Sequence, residues 1–307
     1  MNAAVQLRVQ RYGWDLAEPV YERYWALQLA PAQRRLLERA AVRPGERVLD
    51  VACGTGSVAL PAAWAVGPEG HVLATDISEA MVRRTAEEAW CEGIGWVETR
   101  RANAEEPVGS DGTFDAALCA LGLMYVTDPV RTLGAMRRAL RPGGRAVVAV
   151  WGARARCGWA EIFPIVDRRV RSDVCPLFYQ LGTGDALVEA FALAGFEAAA
   201  SERISTTLRY RSARAAVGAA FEGGPVALAY SRFDAATRAE AHAEYLASIA
   251  PYRRGAGYAI PGEFVIARGV APVMASWGDW PSSRAAAAGG SDLSEAGAAR
   301  RRRLKSA

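Results

Sequence analysis

Two carboxylates and a glycine turn are the groups of this chain best spaced for chemistry. Val48-Leu49-Asp50-Val51-Ala52-Cys53-Gly54-Thr55-Gly56 joins an apolar strand, an acid near its end and a turn rich in glycine. Asp76, 20 positions beyond Gly56, closes a second apolar segment. A carboxylate there can accept hydrogen bonds from both hydroxyls of a ribose, which points to a nucleoside-type cofactor. Gly54, Gly56 and Ala59 also satisfy the G-x-G-x-x-A dinucleotide pattern. Asp50 argues against a pyrophosphate in that turn, because its carboxylate repels phosphate and pairs with an ammonium. A cofactor with an amino-acid end and an adenosine end fits both acids.

These residues need a rigid sheet to hold them. Hydrophobic patterning predicts strands at 47–51, 71–75, 96–100, 114–119 and 145–151, with helices at 57–65, 79–90 and 128–140 between them. Asp128 suits the N-cap of the last of these helices. Short strands alternating with helices imply an α/β, doubly wound, mostly parallel sheet with helices on both faces. In such sheets ligands bind at the carboxyl ends of the strands, where the strand order reverses. The turn Pro142-Gly143-Gly144 precedes the fifth strand. Beyond it, helices are expected at 185–194, 212–221 and 237–249, a β-rich segment at 196–210 and a terminal strand at 263–268.

The first 30 residues hold Tyr12, Trp14, Tyr21, Tyr24 and Trp25. Tyr21, Tyr24, Trp25 and Gln28 fall at helical spacing, so a short amphipathic helix is expected, either packed on the core or acting as a lid. Pro31 fits the first turn of a second helix running to about residue 40. Residues 153–184, rich in aromatic residues, arginine and turn formers, are consistent with a connection that caps a pocket.

Composition narrows the function classes. The chain has 307 residues, 51% of them apolar, and a net charge of +4. Residues 281–307 carry six basic and two acidic groups, which leaves the other 280 residues with 31 of each sign. A neutral globule with a charged tip argues against nucleic acid as substrate. Lys305 is the single lysine, so a P-loop, a lysine Schiff base and the Tyr-x-x-x-Lys pair of short-chain dehydrogenases are all excluded. Cys53, Cys91, Cys119, Cys157 and Cys175 are widely spaced, which fits reduced thiols in a cytoplasmic setting and no metal site. No run approaches the roughly 18 apolar residues of a membrane span. The N-terminus lacks the pattern of a secretory signal.

In order along the chain, five segments resemble the class I S-adenosylmethionine-dependent methyltransferases. Residues 48–56 are similar to that family's first motif, and Leu73-Ala74-Thr75-Asp76-Ile77-Ser78-Glu79-Ala80-Met81 to its second-strand motif. Arg101-Ala102-Asn103-Ala104-Glu105-Glu106, Phe114-Asp115-Ala116-Ala117-Leu118 and Leu140-Arg141-Pro142-Gly143-Gly144 follow. Gly122-Leu123-Met124-Tyr125-Val126-Thr127-Asp128 resembles the ubiquinone and menaquinone C-methyltransferase branch, which normally has Arg-Asn where Met124-Tyr125 stand.

The resemblance implies a seven-stranded Rossmann-like sheet with an antiparallel last strand and S-adenosyl-L-methionine as cofactor. It implies an N-terminal helical lid at 1–30, a cofactor core at 31–152, substrate-capping insertions and completion of the sheet at 153–277, and a disordered basic tail at 278–307. Ala52, Gly54 and Gly56 would present backbone to the methionine portion, and Asp50 would meet its amino end. Asp76 would bind the ribose, Ile77 would pack on the adenine, Asn103 and Ala104 would read the adenine edge, and Cys119 would line the pocket. Tyr21, Met124 and Tyr125 are the substrate-pocket candidates.

Because the sulfonium carries an activated methyl group, alignment in an apolar pocket is the main task left to the protein. His71 begins the second strand, far from the expected cleft, and His242 is expected on a solvated helix face with Glu240 and Glu244. Tyr125 is the best-placed polar candidate, better suited to orient an acceptor than to act as a base, since a phenol titrates near 10. The expected reaction is C- or O-methylation of a small aromatic or apolar metabolite. A non-catalytic cofactor-binding module and a nicotinamide oxidoreductase are the alternatives.

Overall fold

The computed structural model describes residues 3–108, 111–170 and 178–273. Its strands are β1 (Arg47–Val51), β2 (His71–Asp76), β3 (Val97–Arg101), β4 (Phe114–Ala120), β5 (Leu140–Trp151), β6 (Glu197–Tyr210), β7 (Arg253–Arg254) and β8 (Gly257–Val270). They form one sheet in the order β3-β2-β1-β4-β5-β8-β6, with the two-residue β7 paired to β8. Neighbours from β3 to β5 are parallel, and β8 runs antiparallel to both β5 and β6. This is the expected Rossmann-like methyltransferase sheet. β1, β2 and β4 are buried almost throughout, the pattern of strands covered on both faces. After β3 the chain crosses back over β1 to β4, which opens a cleft at the carboxyl ends of β1 and β4.

The helices are α1 (Ala3–Ala40), α2 (Ala59–Val66), α3 (Glu79–Cys91), α4 (Pro129–Ala139), α5 (Ile162–Asp167), α6 (Ala186–Leu193), α7 (Ala213–Phe221), α8 (Ala227–Tyr230) and α9 (Ala235–Ser248). Ser78, Asp128, Ser212 and Asp234 cap α3, α4, α7 and α9, each accepting a hydrogen bond from the backbone N–H three residues on. One hydrophobic core reaches from Trp25 through Leu118 to Phe264.

Two local expectations are corrected. The short helix at 21–28 and the second one from Pro31 are a single 38-residue helix that contains Pro19 and Pro31. A proline inside a helix costs about 3 kcal/mol. Trp25, Leu29 and Leu36 are buried on one stripe with Ala32 and Ala40, and at about 1.5–3 kcal/mol per large side chain that burial is of the same order as the cost of both prolines, about 6 kcal/mol. The turn at 142–144 is not a break either. β5 begins at Leu140 and absorbs the glycines as an irregularity, with Leu140 opposite Phe114 and Arg145 opposite Ala116.

Cys175 and the expected tail at 278–307 lie outside the described residues. Among the described residues, no helix is long and apolar enough to cross a membrane.

Candidate functional site

Three cavities meet at the carboxyl ends of β1, β2 and β4. The largest, about 750 Å³, is lined by Gly54, Asp76, Ile77, Asn103, Ala104 and Tyr125 among others. A second, about 290 Å³, lies over Asp50, Cys53, Thr55 and Val58. A third, about 330 Å³, is walled by Trp14, Trp25, Trp151 and Trp159. Among the described residues, Tyr21 alone lines all three.

Asp76 ends β2 with its carboxylate held by two backbone donors. Gly54 N–H donates to Oδ2 at 3.0 Å and Ser78 N–H to Oδ1 at 2.9 Å. Each oxygen keeps a lone pair for a further donor. Burial raises its pKa against the lowering effect of the Ser78, Gly54 and Ile77 N–H groups. The motif therefore closes on itself, with the glycine turn after β1 tied to the acid after β2.

Asp50 differs. It is fully buried, and neither carboxylate oxygen has a hydrogen-bond partner of ordinary geometry. Burial, and then the Asp76 carboxylate, push its pKa well above the usual carboxylate range, opposed by a smaller effect of the Ala59 N–H. The buried Thr55 hydroxyl in the same cavity is also without a partner. An orphaned carboxylate beside an orphaned hydroxyl is the complement of an ammonium group with polar surroundings. The amino-acid end of S-adenosylmethionine supplies such a group, so the residues present fit this cofactor.

Backbone strain lies on both walls of the cleft. Ala52 and Leu121 take φ of 57° and 62°, the left-handed region that side chains disfavour. Between them a Cβ on Gly122 would stand 2.3 Å from the Ala52 Cβ, so only glycine fits there. Gly56, at φ 93°, turns the chain where an added Cβ would stand 3.2 Å from Leu60 and Thr85, and it does not line these two cavities.

The N-terminal helix roofs the site. Leu7, Gln10, Trp14 and Tyr21 of α1 line the large cavity. Asp15 fastens the helix to the start of α3, accepting from Ser78 Oγ at 2.6 Å and Ala80 N–H at 3.2 Å. Gln6 Nε2 donates to the Tyr125 carbonyl at 3.4 Å. Trp14 meets Tyr125 edge-on at 5.1 Å, and Tyr125 meets Phe178 at 5.5 Å.

Ala52, Gly54, Asp76, Ile77, Asn103, Ala104, Tyr21 and Tyr125 thus stand together around one cleft, with Asp50 in the adjoining cavity. Cys119 and Met124 do not line it. Cys119 is packed beneath the Gly122 turn, where burial and then Asp50 push its thiol up to about 12. Met124 is buried in the core because the short turn Leu123–Tyr125 directs Leu123 and Met124 inward. The Asn103 carbonyl already accepts from Glu105 N–H at 3.1 Å. His242 is half-buried: its Nε2 lies 3.0 Å from the Tyr230 hydroxyl, and its ring stacks on Tyr230.

Gln10, Leu121 and Trp159 were not singled out from the sequence, and Thr55 was named only within the glycine motif, where its hydroxyl is a visible signal. Leu121 follows β4 directly, whereas Gln10 and Trp159 join the site only when α1 and the segment after β5 fold over the sheet.

Residues 48–144 match a family described as methyltransferase domain. The chain is 38% identical over 132 residues to nocamycin O-methyltransferase of Saccharothrix syringae, covering 43% of this chain and 47% of that protein. It is 42% identical over 113 residues to the ubiquinone/menaquinone biosynthesis C-methyltransferase of Teredinibacter turnerae, covering 36% and 45%. The chain thus spans about half the length of the curated relatives it matches. Among solved structures, phosphoethanolamine N-methyltransferase 2 of Haemonchus contortus in complex with S-adenosyl-L-methionine superposes with a TM-score of 0.55. That likeness has 18% identity and covers 84% of this chain and 57% of that one. The strand order, the two acids beside one glycine turn and the matched domain agree: this chain carries a class I S-adenosylmethionine-dependent methyltransferase domain.

Proposed function

We propose that the protein transfers the methyl group of S-adenosylmethionine to a carbon or oxygen of a small aromatic or apolar metabolite. The observation that carries this reading is the buried, unpartnered carboxylate of Asp50, which suits an ammonium and opposes a pyrophosphate. In this reading Asp50 and Thr55 hold the amino-acid end, Ala52 and Gly54 lie along the methionine chain, and Asp76 takes the ribose hydroxyls. Ile77 packs on the adenine, with Asn103 and Ala104 at its edge. The bound cofactor supplies an activated methyl group on a positively charged sulfur.

The protein supplies alignment and dryness. Tyr21 lines the cofactor cavities and the aromatic cavity alike, so the methyl group belongs beside it. Among the described residues, no charged side chain lines the aromatic cavity. Its titratable groups are the phenols of Tyr21 and Tyr125, and burial and the Asp76 charge raise Tyr21 further from neutrality. The Tyr21 phenol is thus no base near neutral pH. An acceptor that brings its own nucleophilicity, as an acidic phenol or an enol does, suits this lining. In this reading the described residues of 31–152 serve the cofactor, and residues 3–30, 153–170 and 178–272 supply the roof and the acceptor side. An O-methyltransferase and a C-methyltransferase among the relatives support either atom as recipient, and the neutral charge outside the last 27 residues supports a metabolite over nucleic acid.

Calorimetry tests the assignment. S-adenosylhomocysteine is expected to bind at micromolar concentration and NAD not to bind. Asp76→Ala is expected to weaken S-adenosylhomocysteine by 100-fold or more, and wild-type affinity in that variant would remove the assignment.

A further inference from the structure

One residue lining the aromatic cavity carries a polar group that none of the described residues satisfies. Trp159 is 3% exposed, it lines the cavity, and its indole Nε1 is buried without a hydrogen-bond partner. Two other indoles of the same wall are satisfied. Trp14 Nε1 donates to Gln10 Oε1 and Trp25 Nε1 to the Ala219 carbonyl, both at 3.2 Å. A buried N–H left unpaired is a standing cost, and one orphan beside satisfied neighbours marks a place for an outside acceptor. The Trp159 ring is also fixed in orientation. It packs edge-on against Trp151 at 5.0 Å, Trp25 at 5.8 Å and Phe178 at 5.5 Å. An N–H held this firmly selects where an acceptor atom can sit.

The cavity's walls are aromatic, aliphatic and glycine surface. Resting on the cofactor reading above, we propose that the methyl acceptor is a compact, uncharged aromatic ring system bearing an oxygen that accepts a hydrogen bond from Trp159 Nε1–H. Trp159 is then a specificity-determining residue of the acceptor site. Stacking of the ring against the wall supplies affinity, and the single donor sets which edge of the ring faces the methyl group.

The probes are 2-naphthol and naphthalene, titrated into protein saturated with S-adenosylhomocysteine. Wild-type protein is expected to bind 2-naphthol at least about fivefold more tightly than naphthalene. Trp159→Phe keeps a ring and removes the donor. It is expected to weaken 2-naphthol about tenfold and to leave naphthalene and S-adenosylhomocysteine within twofold. In wild-type protein with 15N-labelled indoles, the Trp159 Nε1–H resonance is expected to move downfield with 2-naphthol and not with naphthalene, a readout that needs no variant. Equal losses for both probes, an unmoved resonance, or binding of S-adenosylhomocysteine with neither probe would overturn the proposal. Failure of S-adenosylhomocysteine itself to bind would instead overturn the cofactor reading beneath it.

Discussion

Asp50 shows how a functional residue can oppose the fold that carries it. Its raised pKa means that the folded protein without cofactor keeps the Asp50 proton to higher pH than the unfolded chain does. Folding stability from this group therefore falls as pH rises from about 3.9, the unfolded value, through the raised folded value. Asp50→Asn removes that loss. The variant without cofactor is expected to melt about 2–4 °C above wild type at pH 8, the effect of roughly 1 kcal/mol in a protein of about this size. The gap should close as pH approaches 4, and thermal melts across that range check it. The same variant loses a charge-assisted contact, so S-adenosylmethionine should bind about 10- to 100-fold more weakly in calorimetry. Gly122→Ala tests the opposite kind of residue. With its new Cβ 2.3 Å from the Ala52 Cβ, the strained wall must move, and both melting temperature and cofactor affinity should drop. Asp50 was legible in the sequence because a carboxylate near the end of an apolar strand, just before a glycine turn, is chemically conspicuous. Gly122 was legible only as part of a motif, since its reason is a contact with a residue 70 positions earlier.

At the level of elements, α1 departs furthest from its sequence signal. Two prolines suggested two short helices, yet one apolar stripe packed on the sheet holds a single helix across both. Its N-terminal half is secured differently, by the Asp15 carboxylate on the N-terminal turn of α3. Asp15→Ala removes that clasp and leaves the buried stripe from Trp25 to Ala40 untouched. Amide exchange in residues 3–20 is expected to rise about tenfold or more, with little change from residue 25 onward, when followed by mass spectrometry. Cofactor dissociation should quicken in parallel. The strands and capped helices of the core were readable because strand burial on both faces and Ser or Asp at an N-cap act over a few residues. The bulge at 140–144 was not, because it depends on register against β4.

The whole molecule places the cofactor between a sheet and a roof that come from distant parts of the chain. Ligand bound only to the folded state stabilises it by mass action, about 2.7 kcal/mol at 100 times the dissociation constant. S-adenosylhomocysteine at that excess is expected to raise the melting temperature by about 5–10 °C, and NAD at the same concentration to leave it unchanged. A calorimetric scan with each compound checks this.

The amino-acid sequence alone determined the alternating α/β order, the glycine turn and the identity of the two acids that flank it, since these depend on local pattern and on residue chemistry. It did not determine which candidates face the cleft. Tertiary structure buried Met124 and Cys119 and brought Trp14, Tyr21, Trp151 and Trp159 to one cavity from three separate segments. The reason is physical: chemistry at a strand end is set by neighbours along the chain. The shape and polarity of an enclosed pocket are set by side chains that meet only when non-local packing excludes water between them.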